Sequence, residues 1–438
     1  MSDEAEASFL TTVMVDGVIY DISNFKHPGG SVIRFLSQKN VKKGVSKEAE
    51  LGHIDASEAF REFHQRDMEK VTRYLKSLPV VSTKGKDRNE SKYKELSKDF
   101  LQFRETLVKE GYFNPSLFHV VYRIVEILAM FVFSFWLLAS VAATGNLLHP
   151  YVAIACVING IAQGRCGWLM HEGGHLSLTG NRSVDIRLQE IIYGVGCGMS
   201  GGWWRSQHNK HHATPQKLKH DVDLDTLPLV AFNSRIREHV KANSLQGKML
   251  SIQSYIFAPV SCFLVGLLWT LYLHPRHMIV RTKNAVEIIS TGFRYLFWFS
   301  FLTSAGYSLR STFLLYCICF GLGCNYIFTN FAVSHTHLDV TEADEYIHWV
   351  EYAGHHTTNV SIDSSFVTWW MSYLNYQIEH HLFPTMPQFN HPKISPKVRA
   401  LFQKHGIKYD HRGYIQAMRD TFNNLYEVGN TVPSKLKQ

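Results

Sequence analysis

From Ile124 to Ala143 the chain is almost wholly apolar for 20 residues. At about 1.5 Å of rise per residue, a helix of that length covers roughly 30 Å, the thickness of a bilayer's hydrocarbon core. Such a segment commits part of the chain to a membrane. A second run, Tyr151 to Met170, follows the turn at Pro150, and its Asn159, Gln163 and Arg165 are expected to face protein or a cavity. Three more apolar runs come later, Tyr255 to Leu273, Phe293 to Leu309 and Thr312 to Val333. Histidines at both ends of this region need one side of the membrane, so only an even number of the three can cross. We therefore expect the last two to form a transmembrane hairpin, turning at Leu309 to Ser311, and Tyr255 to Leu273 to re-enter or lie in the interface. The basic stretch Pro275, Arg276, His277, Arg281 and Lys283 belongs on the cytosolic side by the positive-inside rule.

A chain of 438 residues should hold two or more units. Residues 1–80 alternate short apolar runs with polar ones before two helical stretches, which predicts a small soluble α+β unit ending at Pro79. Residues 81–115 read as a charged linker leading to a helix on the membrane surface, 116–390 as an all-α membrane unit, and 391–438 as a cytosolic C-terminal segment. The first residues, Met-Ser-Asp-Glu-Ala-Glu, lack the pattern of a secretory signal, so the first unit is expected in the cytosol. The formal charge of +8 comes from Lys and Arg that are scattered or sit beside apolar runs. That pattern excludes a nucleic-acid tract and suits membrane lipid. The seven cysteines fall in apolar stretches without C-x-x-C spacing and read as core residues of a reducing compartment.

The unusual count is histidine, at 24. His171-Glu-Gly-Gly-His175 follows the second apolar run and places two imidazoles at i and i+4, where one metal ion can be shared. The same letters imitate a zinc metalloprotease motif with Glu172 as general base. Three further clusters weigh against a protease: His208-Asn-Lys-His211-His212, an isolated His335, and Gln377-Ile-Glu-His380-His381. One such cluster alone is more simply a solvated or hydrogen-bonded set. Eight histidines in four clusters exceed one zinc site, imidazole suits iron as well as zinc or copper, and all four clusters fall just outside apolar runs. Asp221, Asp223 and Asp225 alternate, and we expect them to orient box histidines rather than bind a cation. His220, His337, His355 and His356 lie near the boxes without ligand spacing, so supporting or surface roles are expected. Trp203, Trp204, Trp369 and Trp370 suit an aromatic belt or a tunnel wall, with the belt the simpler expectation.

The boxes His171-x3-His175, His208-x2-His211-His212 and Gln377-x2-His380-His381 resemble those of the membrane fatty-acid desaturases, almost end to end. Phe25-Lys-His27-Pro-Gly-Gly30 resembles the haem-binding motif of cytochrome b5. That domain and the glutamine of the third box are similar to the front-end subfamily, which adds a double bond between an existing one and the carboxyl end of a polyunsaturated acyl chain. The implied fold is multi-domain: a small α+β cytochrome b5-like haem domain, then an all-α polytopic membrane domain of about four transmembrane helices with a cytosolic di-iron cap. The implied setting is the endoplasmic reticulum membrane, with both termini and the site cytosolic.

The resemblance also implies two non-haem irons on His171, His175, His208, His211, His212, His335, His380 and His381, with Gln377 a weaker ligand through its carbonyl oxygen or a bound water. It implies haem b on His27 and His64, the latter because Asp55-Ala-Ser-Glu-Ala-Phe-Arg-Glu-Phe-His64 matches the family. Lys39 to Leu51 looks inserted, which leaves His53 as a rival. An unactivated methylene has no acidic proton and no leaving group, so iron and O2 as co-substrate are required. The resemblance supplies electrons from NADH through cytochrome b5 reductase, and a fatty-acyl substrate carried as a CoA or phospholipid ester. The stretches Asn159 to Trp168, Gly194 to Gly201 and Phe331 to Leu338 resemble Δ5 acyl desaturases most and Δ6 enzymes next. A sphingolipid long-chain-base Δ8 desaturase, a hydroxylase on the same scaffold and a non-enzymatic haem membrane protein are the other readings.

Overall fold

The computed structural model describes residues 9–42, 53–85, 87, 90–224, 226–342 and 345–431. Apolar alternation near the start becomes four antiparallel strands, β1 (Phe9–Val15), β2 (Val18–Asp21), β3 (Gln38–Lys42) and β4 (Val80–Ser82), in the order β3-β1-β2-β4. Asp16 and Gly17, both at positive φ, make the two-residue turn between β1 and β2. Val13, Val15, Tyr20, Ile22 and Ala56 pack into a small core, and helices α1 (Ser57–His64) and α2 (Met68–Lys76) complete an α+β unit. Its last strand lies just past Pro79. The described part of the Lys39–Leu51 stretch belongs to β3, and residues 43–52 lie outside the described residues.

Helix α3 (Glu90–Lys109) spends its apolar stripe on protein instead of a membrane surface. Tyr93, Leu96, Phe100 and Leu107 recur at helical spacing and are buried with Val350, Phe383, Ile394, Val398 and Phe402. Each large apolar side chain so buried contributes about 1.5–3 kcal/mol. The chain beyond residue 390 shares this core, which spans helices α11 (Trp349–His356), α12 (Gln377–Leu382) and α13 (His391–Lys404), with α14 (Tyr414–Gly429) beside them.

Between α3 and α11 come α4 (Leu117–Val141), α5 (Pro150–Gly174), α6 (Arg182–Cys197), α7 (Gly201–Ala213), the continuous helical run α8 (Gln253–Arg281), α9 (Ala285–Ser304) and α10 (Leu309–Ala332). Among the described residues, four runs are long and apolar enough to cross a membrane: Leu117–Thr144, Pro150–Gly174, Gln253–Arg281 and Leu309–Ala332. The number matches expectation but the membership differs. Glu287 and Arg294 interrupt the apolar character of α9, although neighbouring helices bury both. The run expected to re-enter or lie in the interface is thus one of the four. Near its ends, Gln253 donates to the carbonyls of Ala231 and Leu425 at 2.8 Å, and His274 Nδ1 accepts from the backbone of Ser200, the residue that caps α7. The α9–α10 turn falls at residues 305–308, where Gly306 has φ 112° and Ser308 caps α10, so Leu309 to Ser311 already form its first turn.

The polar residues of α5 face protein, as expected. Asn159 donates to Ser134 Oγ at 3.0 Å, Gln163 donates to Asn159 at 2.9 Å, and Arg165 pairs with Glu126 at 2.5 Å. Glycines let α5 and α10 approach closely: a methyl at Gly160 would stand 2.6 Å from Leu322 Cβ.

The N-terminal unit is docked on this assembly. Arg104 of α3 donates to Glu62 of α1 at 2.6 Å, and Arg66 donates to the carbonyls of Leu176 at 3.1 Å and Thr385 at 2.9 Å. Phe35 stacks on His220 with ring centres 4.8 Å apart. Burial pushes the Glu62 carboxyl up to about 7 against the opposing pull of Arg104. Breaking a buried pair from one side costs about 3–5 kcal/mol. Arg104→Met should therefore lower the thermal transition of the N-terminal unit at pH 8. The deficit should shrink as pH falls toward about 7, because Glu62 without Arg104 takes up its proton at a higher pH than it does beside Arg104. Calorimetry showing wild-type stability for Arg104→Met at pH 8 would contradict this.

Candidate metal centre

Four separate elements deliver the box histidines. Helix α5 carries His171 near its end and His175 as its C-cap; α7, capped by Ser200, carries His208, His211 and His212. His335 follows the end of α10, and α12 carries Gln377, His380 and His381. No imidazole among the eight is more than 9 % exposed. They sort into two groups: ligand-capable nitrogens of His171, His175, His208, His212 and His380 lie within 4.8 Å of one another, as do those of His211, His335 and His381. Nε2 of His208 stands 3.0 Å from Nε2 of both His171 and His212, and the stacked rings of His212 and His381, 4.2 Å apart, join the groups.

Nε2 of His175 and His380 and Oε1 of Gln377 are buried with no hydrogen-bond partner among the described residues. Such acceptors are costly to bury unless something electropositive meets them. Imidazole nitrogens converging in two adjacent groups, with an unpartnered amide oxygen in the same cavity wall, fit two cations of the kind that prefer imidazole, iron among them.

Around the ligand-capable atoms stands a set of orienting groups. Asp221 approaches His211 Nδ1 at 3.0 Å while accepting backbone N–H groups from Gln216 and Asp223, which matches the orienting role expected for it. Burial lowers the pKa of His211, but Asp221 and Asp223 outweigh it and raise the value to about 9. His335 Nδ1 donates to the carbonyl of His356 at 2.9 Å, and burial, followed by His211, pushes His335 down to about 3. Asp225 lies outside the described residues. His220 stacks on Phe35, His355 is exposed, and the His356 ring bonds Thr341 and the Asp339 carbonyl. Glu172 makes no direct bond to the eight box imidazoles and lies instead 3.7 Å from Arg123 and 3.4 Å from His119, which removes it as a protease-type base.

Two residues with no motif signal join the site. His391 is buried with its ring centre 5.8 Å from that of His380, and Gln388 reaches His171 Nδ1 at 2.8 Å. A cavity of about 460 Å³ opens from the histidines. His171, His208 and His380 line its polar end, and Val265, Trp269, Phe320 and Phe328 its apolar length. Trp203 and Trp204 line it too, which corrects the belt expectation for this pair. The Trp369 and Trp370 indoles donate instead to Glu126, Asn330 and Tyr414.

In the N-terminal unit the rings of His27 and His64 face each other with centres 6.0 Å apart at 78°. Two imidazoles on one iron, each about 2 Å from it, hold their ring centres roughly 6 Å apart. His64 Nδ1 donates to the Phe60 carbonyl at 2.8 Å, which leaves its Nε2 as a lone pair for a ligand, and the Gly29 backbone N–H donates to His27 Nδ1 at 3.0 Å. A side chain at Gly29 would stand 2.9 Å from the His27 ring, which explains the glycine after His27-Pro28. Burial, then the facing His64, pushes His27 down to about 4, so it is neutral near pH 7. His53 pairs through its backbone with Asp87, and the ring opposite His27 is that of His64.

A family model, fatty acid desaturase, matches residues 147–413. An acyl-lipid (8-3)-desaturase of Thraustochytrium sp is 51 % identical over 443 aligned positions, covering 100 % of this chain and 97 % of that protein. An acyl-lipid (8-3)-desaturase of Rebecca salina is 50 % identical, covering 95 % and 91 %. Fatty acid desaturase 3 of Bos taurus is 27 % identical, covering 95 % and 90 %.

The two groups make different demands on one residue outside the boxes. His335→Ala should lower the non-haem metal content measured by elemental analysis toward one ion per chain, because only His211 and His381 remain in its group. Undiminished metal content would remove His335 from the ligand set.

Proposed function

The chain belongs to the fatty acid desaturase family and is a desaturase enzyme, and on that premise we propose that it is an O2-dependent front-end desaturase acting at Δ5 of polyunsaturated fatty-acyl chains. The observation that carries this is eight buried histidines in two adjacent groups at the head of an apolar cavity. His171, His175, His208, His212 and His380 would hold one iron, His211, His335 and His381 the other, with Gln377 a further ligand through its carbonyl oxygen. Bound there, the irons supply the oxidising power that removes two hydrogens from an unactivated methylene.

This chain's own residues do the rest. The apolar walls around Val265, Phe320 and Phe328 take the acyl chain and exclude water, and Trp203 and Trp204 flank it beside His208. Position along that tunnel decides which carbon faces His171, His208 and His380. We read (8-3) in the names of the two similar proteins as a new bond three carbons to the carboxyl side of one at carbon 8, which supports Δ5. The substrates would be dihomo-γ-linolenoyl and eicosatetraenoyl chains, converted to arachidonoyl and eicosapentaenoyl chains and carried as CoA or phospholipid esters.

His27 and His64 would hold haem b and pass electrons one at a time, drawn from NADH through cytochrome b5 reductase. The docking of this unit supports it: Arg66, two residues after His64, bonds the carbonyl of Leu176, the neighbour of His175. We place the enzyme in the endoplasmic reticulum membrane with termini and site on the cytosolic side.

In yeast fed dihomo-γ-linolenic acid or linoleic acid, the first should yield arachidonic acid and the second little γ-linolenic acid. The reverse pattern would make it a Δ6 enzyme, and activity on long-chain bases alone would move it to the sphingolipid branch. His27→Ala and His64→Ala should each abolish NADH-supported desaturation and leave non-haem iron in place, whereas His53→Ala should change little. Haem retained in His64→Ala but lost in His53→Ala would reverse the choice of axial ligand.

A further inference from the structure

Gln388 belongs to none of the histidine boxes, yet its side chain is buried against His171, from which 217 residues separate it. Three groups surround its amide: His171 Nδ1 at 2.8 Å, Glu172 Oε1 at 3.0 Å and the Ser372 carbonyl at 2.9 Å. A carboxylate and a carbonyl can only accept, so the amide nitrogen must face Glu172 and Ser372 and the amide oxygen must face His171. His171 then carries its proton on Nδ1. Its Nε2, 3.0 Å from Nε2 of His208, is left as a lone pair aimed at the five-histidine group.

The contact continues outward. Glu172, which receives the Gln388 N–H, is fully buried beside Arg123 and His119, and Arg123 also donates to Ser372 Oγ at 2.7 Å. A charged pair anchored on α4 and α5 therefore fixes the amide, and the amide fixes the ring. His211 meets a carboxylate directly and His335 a backbone carbonyl. His171 differs in meeting a carboxylate through an intervening amide.

The geometry points to Gln388 as a positioning residue that sets the tautomer and orientation of His171 and relays the charge of Glu172 to it. The inference rests on the histidines holding metal. A group that orients a metal-bound imidazole typically accounts for about 10–100-fold in metal affinity.

The test is an anaerobic Fe(II) titration of the full-length, iron-stripped protein in detergent. Wild-type uptake of two Fe(II) checks the metal reading by itself. Gln388→Leu keeps the bulk and loses the acceptor, and one of the two sites should weaken by about 10–100-fold while the other, built on His211, His335 and His381, stays unchanged. The exchanged pair Glu172→Gln with Gln388→Glu keeps an acceptor for Nδ1–H and a donor between residues 172 and 388, and should recover most of the affinity lost in Gln388→Leu. Wild-type affinity at both sites in Gln388→Leu would overturn the inference. So would equal weakening in Gln388→Leu and the exchanged pair, or loss of both sites together with a lowered thermal transition, because each assigns Gln388 to packing alone.

Discussion

Imidazole nitrogens buried against one another, with no donor to satisfy them, are the interaction on which the rest of this structure depends. His208 Nε2 lies 3.0 Å from two other imidazole nitrogens, and Nε2 of His175 and His380 meets no hydrogen-bond partner among the described residues. A protein keeps such atoms out of water only at a cost of a few kcal/mol each unless cations take the place of the missing donors. Everything around them works toward that end. Helices α5 and α7 and the short α12 converge from distant parts of the chain, and Asp221, the His356 carbonyl and Gln388 hold three of the rings by their outer nitrogens.

The same constraint explains why the site sits where membrane helices end. The apolar cavity reaches back along α5, α8 and α10, so a long hydrocarbon chain can lie among Val265, Phe320 and Phe328 while one methylene meets the histidines. In the N-terminal unit His27 and His64 face each other across about the width of one coordinated iron, Arg66 and Phe35 bind the unit to segments near box histidines, and Glu62 binds it to α3. Haem and iron site would then be neighbours through protein contacts instead of diffusing partners.

Much of this was legible in the sequence because it is written at short range. The i, i+4 spacing of His171 and His175, the paired histidines at 211–212 and 380–381, and the glycines after His27 each state their geometry within a few residues. What was not legible depends on which surface an apolar or polar face meets. The stripe of α3 suits lipid and protein equally until the C-terminal helices arrive to bury it. Hydropathy counts Glu287 and Arg294 against α9, although Ser200, Gly196 and Gln163 satisfy them inside the protein. Gln388 has no local signal at all, because its role exists only once the chain closes residues 171 and 388 together.

The most direct test of this account is the metal inventory of the intact protein purified from an iron-replete host. The account predicts three irons per chain, one extractable as haem b and two as a non-haem pair whose Mössbauer spectrum shows two coupled high-spin sites. A chain carrying haem and a single zinc, or haem with no further metal, would contradict it.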